Sequence, residues 1–143
     1  MRIRFLYLLV VVAAVLFGSL SSPATAQSLG PRKVTFVLVD NAYQPKTALK
    51  VRRGETVTFT FLNKGKVLHE ALIGTLGVQL AHEKEMAGMG AAMAMKDESD
   101  RVTVKVGQRK TLTFKFVKPG AYQIACHQPK HYGLGMKVAI QVI

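Results

Sequence analysis

The stretch Ala125-Cys126-His127-Gln128-Pro129-Lys130-His131-Tyr132-Gly133-Leu134-Gly135-Met136-Lys137 lies between two predicted strands near the end of the chain. It sets a thiol, an imidazole and a thioether in the order Cys-x4-His-x4-Met. Thiolate and thioether sulfur are soft ligands and imidazole nitrogen is a borderline one, a combination that suits copper. The sequence therefore predicts that Cys126, His131 and Met136 bind one copper ion.

A second imidazole must come from another part of the chain. One thiolate and two imidazoles in a trigonal plane, with a distant thioether, hold copper in a geometry that both oxidation states tolerate. His69, in the segment Val67-Leu68-His69-Glu70, belongs to an earlier predicted strand. Because a sandwich can bring the end of that strand against the C-terminal hairpin, His69 is the candidate for the second imidazole.

Cys126 is the only cysteine of the chain, so it has no intramolecular disulfide partner. An exported protein usually pairs its thiols. Cys126 could therefore form an intermolecular disulfide, remain an inert buried thiol, or bind a metal as the thiolate, and its neighbours favour the metal. A zinc site of Cys126, His127 and His131 is an alternative that leaves Met136 unexplained.

Outward from this loop, the chain consists mostly of short segments with the period of strands. Val57, Phe59 and Phe61 share one face of such a segment and threonines occupy the other, as in a half-buried strand. We expect strands at 33–40, 47–52, 55–63, 67–73, 101–106, 110–117, 121–126 and 135–143, with a loop at 41–46. Many short strands with turn signals predict an all-β, antiparallel sandwich or barrel.

Residues 75–100 interrupt this pattern and form a Met-rich insertion that is predicted to be helical or irregular. Spacings of three and four allow a short amphipathic helix with one face made of Leu76, Leu80, Glu83, Met86, Met89 and Met93. The methionines fill gaps where the insertion packs on the sandwich, or they form a second, weaker Cu(I) site. The candidate ligands of that site are Met86, Met89, Met93 and Met95, with His82 or His127.

The start of the sequence resembles a secretory signal peptide. Arg2 and Arg4 precede a 16-residue apolar run from Phe5 to Leu20, and Ala24-Thr25-Ala26 follows as a cleavage site. The run is shorter than the roughly 18 residues of a membrane-spanning helix, so we expect cleavage after Ala26 and no stable membrane span afterwards. Residues 27–143 are then one exported, periplasmic domain.

Removal of Arg2 and Arg4 with the leader lowers the formal charge from +12 to +10, which is still strongly basic. Outside the cytoplasm nucleic acid is not the expected partner, and acidic proteins or anionic membrane surfaces are. Lys64, Lys66, Lys130 and Lys137 flank the two ligand-bearing segments, whereas most of the acids fall in the insertion.

The chain resembles the cupredoxins, the family of plastocyanin, azurin and pseudoazurin. The resemblance runs from Val51-x-x-Gly54-x-x-Val57-x-Phe59 through His69 to the loop of Cys126, His131 and Met136. It implies a Greek-key cupredoxin fold, with His69, Cys126 and His131 as equatorial ligands of a type 1 copper and Met136 as the axial ligand. One departure is Pro129-Lys130-His131, where the family commonly has Pro-Gly-His.

The resemblance implies a one-electron carrier that is not an enzyme and that meets a redox partner protein, for which the basic charge of the chain favours an acidic one. The segment after His69 and the methionines of the insertion look nearer to exported cupredoxins linked to copper tolerance. The alternative function is therefore periplasmic copper handling, in which the protein sequesters or oxidises Cu(I).

Overall fold

The structure is a computed structural model, and it describes residues 30–89 and 96–143. The predicted leader, together with Met93 and Met95, lies outside the described residues. Among the described residues no helix is both long enough and apolar enough to cross a membrane. The elements in chain order are β1 (Arg32–Val39), β2 (Ala42–Gln44), β3 (Leu49–Val51), β4 (Thr56–Asn63), β5 (His69–Thr75), α1 (Leu76–Met89), β6 (Arg101–Val104), β7 (Arg109–Lys115), β8 (Gly120–Ala125) and β9 (Lys137–Val142).

The strands form two sheets, with the orders β2-β1-β4-β7 and β3-β9-β8-β5-β6, which confirms the predicted β architecture. Most neighbours are antiparallel as expected, but β1 pairs with β4 and β3 pairs with β9 in parallel. The purely antiparallel arrangement was wrong for these two pairs. After β1 and β2 the chain crosses to the second sheet as β3 and returns as β4, and such a crossover allows parallel neighbours.

The core lies between the sheets, and β4 shows why the sequence predicts it. Val57, Phe59 and Phe61 are fully buried, while the threonines between them face outward. Phe36 of β1 stacks on both phenylalanines, with ring centroids 6.4 and 6.0 Å away. Burial of the alternate side chains of β4 therefore supplies the hydrophobic stabilisation of the first sheet.

β2 was expected to be loop. Its central residue, Tyr43, is buried and packs edge-on against Phe36 and Phe61, with centroids 5.9 and 6.3 Å away. The hydroxyl of Tyr43 donates a hydrogen bond to the backbone carbonyl of Glu70 across the sandwich. A strand of three residues is too short to show a period, and the neighbouring Pro45 indicates a turn. The sequence pattern therefore does not predict β2.

The helix α1 forms where the spacing predicted it, but the buried face differs from the expected one. Leu76 and Leu80 are 55% and 53% exposed, whereas Gln79, His82 and Met86 are buried. The side-chain amide of Gln79 donates to the carbonyls of Leu72 and Gln123, at 3.2 and 3.0 Å.

The helix therefore packs on the sheet through a polar face, because the sheet presents carbonyls and carboxylates beneath the helix. The contact is close at the start of the helix, where Gly74 leaves room for Val78. A Cβ on Gly74 would lie 2.6 Å from a Val78 methyl.

A buried ion pair joins the middle of α1 to β5. Nε2 of His82 lies 3.0 Å from both carboxylate oxygens of Glu70, which is 0% exposed, and Nδ1 lies 2.9 Å from Glu85. The hydrogen bond to Glu70 raises the pKa of His82, although burial and the nearby Arg101 guanidinium oppose the rise. His82 is therefore the cation that compensates the buried Glu70 carboxylate.

We expect His82→Gln to lower the free energy of unfolding of the copper-free protein by about 2 kcal/mol near pH 6, measured by urea denaturation. The folded pKa of His82 exceeds its unfolded value, so the stabilisation is complete below about pH 6.5 and is lost as the pH rises through the folded pKa. The deficit of the variant should therefore shrink towards about pH 9.

Leu80→Ala is the control for this experiment, because Leu80 lies on the exposed face of the same helix. It should change the stability little at either pH. A deficit of His82→Gln that is constant across this range would contradict the ion pair.

Candidate metal centre

Three potential ligands converge at one end of the sandwich: His69 at the start of β5, Cys126 just after β8, and His131 in the loop between β8 and β9. The Cys126 Sγ lies 3.9 Å from Nδ1 of His69 and 3.3 Å from Nδ1 of His131. Within the described ranges this is the only group of three or more His, Cys, Asp or Glu residues whose donor atoms all lie within 4.8 Å of one another.

Strand pairing brings these residues together across the sequence. β5 and β8 are antiparallel neighbours with Leu72 opposite Ala125, so the beginning of β5 lies beside the residue that follows β8. The N–H of Cys126 then donates to the carbonyl of Met136, and the N–H of Met136 donates to the carbonyl of His131, at 3.1 and 3.0 Å. These bonds close residues 126–136 into one compact loop.

The turn within this loop explains the departure at Lys130. The N–H of His131 donates to the carbonyl of Gln128, and the N–H of Leu134 donates to that of Lys130, both at 2.9 Å. Lys130 has φ of 70°, the left-handed conformation that favours glycine. Lys130 thus holds a conformation that glycine adopts more easily, at a cost of about 1 kcal/mol, and exposes a cation beside His131.

The turn before β5 holds His69 in place. Nδ2 of the buried Asn63 donates to the carbonyls of Val67 and Val104, at 2.8 and 2.9 Å. Its Oδ1 accepts the N–H of Gly65 at 2.9 Å. A Cβ on Gly65 would lie 2.9 Å from Nε2 of His69, so a glycine here leaves space for the imidazole.

Burial sets the protonation states of the centre. Burial raises the pKa of Cys126 to about 12, although N–H groups of Glu70 and Gln128 hydrogen-bond to the sulfur. Burial and then the neighbouring His131 lower the pKa of His69 to about 4, and burial also lowers the pKa of His131. Without metal, the site therefore holds a neutral thiol and two neutral imidazoles.

These residues fit a copper ion. Nδ1 of His69 and Nδ1 of His131 both face the Cys126 sulfur, at 3.9 and 3.3 Å, so the three donor atoms point to a common position that suits a metal ion. The fourth predicted ligand, Met136, is completely buried and shares the backbone bonds of the loop. One thiol, two imidazoles and a thioether are the donor set of a type 1 copper site.

His127 points away from the three converging residues, as an extended segment predicts. Its Nδ1 lies 2.5 Å from Glu83 and its Nε2 lies 2.7 Å from the Gln79 side-chain oxygen, both on α1. The ring stacks on Tyr132 at 4.6 Å and meets His82 edge-on at 5.0 Å. These contacts turn His127 away from the sulfur and leave the zinc alternative without its third ligand.

Sequence reasoning missed the residues that support His127. Gln79 and Glu83 are one turn apart on α1, but nothing in the sequence links them to His127 or to Tyr132, which lies in the loop after β8. The one signal was His127 itself, an unusual residue directly after the cysteine. Burial lowers the pKa of His127, with Glu83 acting against the shift.

The predicted secondary site is only partly described. Met86 is 6% exposed and borders a cavity of about 140 Å³ whose other lining residues are Glu83, Ala87, His127, Pro129 and Lys130. His82 is engaged with Glu70 and Glu85 and does not line this cavity. Met93, Met95 and the side chain of Met89 lie outside the described residues.

Comparison with known proteins identifies close relatives in sequence. The chain is 33% identical to the copper-resistant cuproprotein CopI of Pseudomonas aeruginosa, with 93% of each chain covered. It is 34% identical to CopI of Rubrivivax gelatinosus, over 84% of this chain and 69% of that protein.

Solved structures of the same fold are also similar. Reduced auracyanin from Roseiflexus castenholzii superposes with a TM-score of 0.65 at 26% identity, covering 80% of this chain and 99% of that chain. Auracyanin A, a "blue" copper protein from Chloroflexus aurantiacus, gives 0.63 at 25% identity and covers 80% and 100%.

The sequence model of the copper binding proteins of the plastocyanin/azurin family matches residues 38–143. This match, together with the cluster of His69, Cys126 and His131 and the buried Met136, confirms the prediction of a cupredoxin with one type 1 copper ion. The chain belongs to the plastocyanin/azurin family of copper-binding proteins.

Proposed function

We propose that His69, Cys126, His131 and Met136 bind this copper ion and that the protein carries single electrons without turning over a substrate. The observation that supports this most is the convergence of one sulfur and two imidazole nitrogens in a buried, uncharged pocket. Bound copper supplies the redox couple Cu(II)/Cu(I).

The chain keeps these donors in place during electron transfer. The N–H of Glu70, 3.3 Å from the sulfur, favours the thiolate, and the β5–β8 pairing holds that N–H rigidly. The loop bonds between Cys126 and Met136 restrict the other side of the site. Because the donors are fixed by the fold, a change of one charge requires little rearrangement of the protein.

The edge of the site suits a protein partner. His131 is partly exposed, and Leu134 of the same loop is 63% exposed, so electrons can enter or leave here. Lys64, Lys66, Lys130 and Lys137 lie on the segments that carry the ligands, while acids are concentrated in and after α1. These charges favour an acidic redox partner that docks at the His131 edge.

The proposed localisation follows from the leader. We propose that residues 1–26 are removed on export and that residues 27–143 act in the periplasm as one cupredoxin domain, with residues 75–100 as its insertion. The solved auracyanin chains are covered at 99% and 100% by 80% of this chain, which supports an independently folding domain of this size.

Titration of residues 27–143 with Cu(II) tests the assignment of the ligands. We expect an intense thiolate-to-copper absorption band that saturates at about one copper and is absent in Cys126→Ala. Because the thiol is protonated and both imidazoles are neutral before binding, uptake should release about one proton per copper, measured in weakly buffered solution.

Ser replaces the sulfur ligand without a large change of volume, so Cys126→Ser is a control that separates loss of the ligand from loss of folding. Its circular dichroism spectrum should match that of the wild type. A band that persists without the Cys126 sulfur would disprove this site.

A second candidate function is copper handling. The relatives in Pseudomonas aeruginosa and Rubrivivax gelatinosus are named copper-resistant cuproproteins. In this chain the cavity beside the copper site brings together a thioether from Met86, a carboxylate from Glu83 and the imidazole of His127. Thioether sulfur selects Cu(I), so this cavity supports capture of a cuprous ion.

This reading gives His127 a second role. One peptide bond joins it to Cys126, so a cuprous ion held by His127 would be coupled through the chain to the sulfur of the copper site. Met86 and Nδ1 of His127 would bind that ion, which would replace the proton that Nδ1 shares with Glu83, and the Glu83 carboxylate would compensate its charge.

We expect Met86→Leu to reduce Cu(I) uptake from about two ions to about one, measured with a competing cuprous chelator under anaerobic conditions. The variant keeps the volume of the side chain, so the visible band of the Cu(II) form should be unchanged. Leu80→Ala, on the exposed face of α1, should leave both measurements unchanged.

A triple variant of Met89, Met93 and Met95 to Leu tests the rest of the insertion in the same assay. If neither methionine variant alters cuprous stoichiometry, copper handling loses this support and electron transfer remains.

A further inference from the structure

A basic cleft lies at the end of the sandwich opposite the copper centre. This distal cleft has a volume of about 1030 Å³ and is lined mainly by the start of β1 and the β3–β4 turn, including Arg32, Lys50, Arg52, Arg53 and Glu55. β4 starts at Thr56 in the cleft and ends at Asn63, which supports the turn before His69. At roughly 3.4 Å per residue, the two ends lie about 25 Å apart.

The charged side chains of the distal cleft are mostly positive. Arg32, Lys50, Arg52 and Arg53 are all exposed, and Glu55 is the only acidic side chain among the lining residues. Glu55 pairs with Arg32 at 3.3 Å, which leaves three further cations. Elsewhere in the described structure all the ion pairs except that of His82 with Glu70 use acids of the insertion, as Lys110 does with Asp97 and Arg101 with Glu98.

Two neighbouring features extend this surface. Lys115 lies opposite Thr56 in the β4–β7 pairing, and Lys118 follows it in the exposed turn that leads to β8. The N–H of Gly54 donates to the carbonyl of Phe116, so the two turns lie side by side. Six cations therefore occupy this end of the molecule.

The path of the chain favours one occupant for this surface. Gly30, the first described residue, lines the distal cleft, so the preceding segment joins the domain at this end. That segment contains the apolar run Phe5–Leu20, which we expect to enter the membrane during export. The basic end is thus the part of the folded domain nearest to that segment.

We propose that the distal cleft binds an anionic phospholipid surface and so directs the copper centre away from the membrane. Exposed arginines and lysines attract acidic headgroups, and each contributes when it lies within a Debye length of the surface. An acidic redox partner fits this end less well, because it would dock about 25 Å from the copper ligands.

Cosedimentation of copper-loaded residues 27–143 with lipid vesicles tests the proposal. We expect binding to vesicles of phosphatidylcholine mixed with phosphatidylglycerol, no binding to pure phosphatidylcholine, and weaker binding as salt increases. Arg52→Gln together with Arg53→Gln should weaken binding about twenty-fivefold, from roughly fivefold per cation.

The matched control is Lys105→Gln together with Arg109→Gln, which removes the same charge from exposed positions near the copper end. It should retain most of the vesicle binding. The visible copper band reports that both double variants are folded.

Equal loss in the two double variants would show that net charge alone drives binding and would overturn the proposal. So would an absence of binding to anionic vesicles, or binding to an acidic protein that depends on Arg52 and Arg53 without any vesicle binding. The copper band is independent of these outcomes, so failure here leaves the proposed electron-carrier function intact.

Discussion

The antiparallel pairing of β5 with β8 is the constraint on which the rest of the structure depends. Its register sets Leu72 of β5 opposite Ala125, the last residue of β8, so the start of β5 runs beside Cys126. The N–H of Glu70 points at the sulfur, and Nδ1 of His69 lies 3.9 Å from it. The same two strands offer the carbonyls of Leu72 and Gln123 to the helix. A shift of one residue would turn these side chains to the opposite face and dismantle the site and the helix contact together.

The sequence predicted those parts of the fold that depend on local pattern. Alternation along β4 and the spacing of Cys126, His131 and Met136 are properties of neighbouring residues, and both led to the observed strand and loop. The parallel pairs β1–β4 and β3–β9 were missed, because strand direction depends on the path of the chain between sheets. Periodicity within a strand contains no information about that path.

The polar contacts of α1 were beyond sequence analysis for a different reason. An apolar spacing through Leu76 and Leu80 predicted the buried face, but the surface beneath the helix offers backbone carbonyls and the carboxylate of Glu70. A buried polar group is stable only when its partner is present, and here the partners lie on other strands. The helix therefore turns its polar side inward, which hydrophobicity alone cannot indicate.

The polar docking of α1 also fixes its longitudinal position. An apolar interface tolerates sliding, because one methyl group can replace another, whereas Gln79 and His82 each satisfy specific atoms. A slip of one turn, about 5.4 Å, would leave both the buried Glu70 carboxylate and the ring of His127 without their hydrogen-bond partners on the helix. The helix therefore has one position along the sheet at which these polar partners are all satisfied.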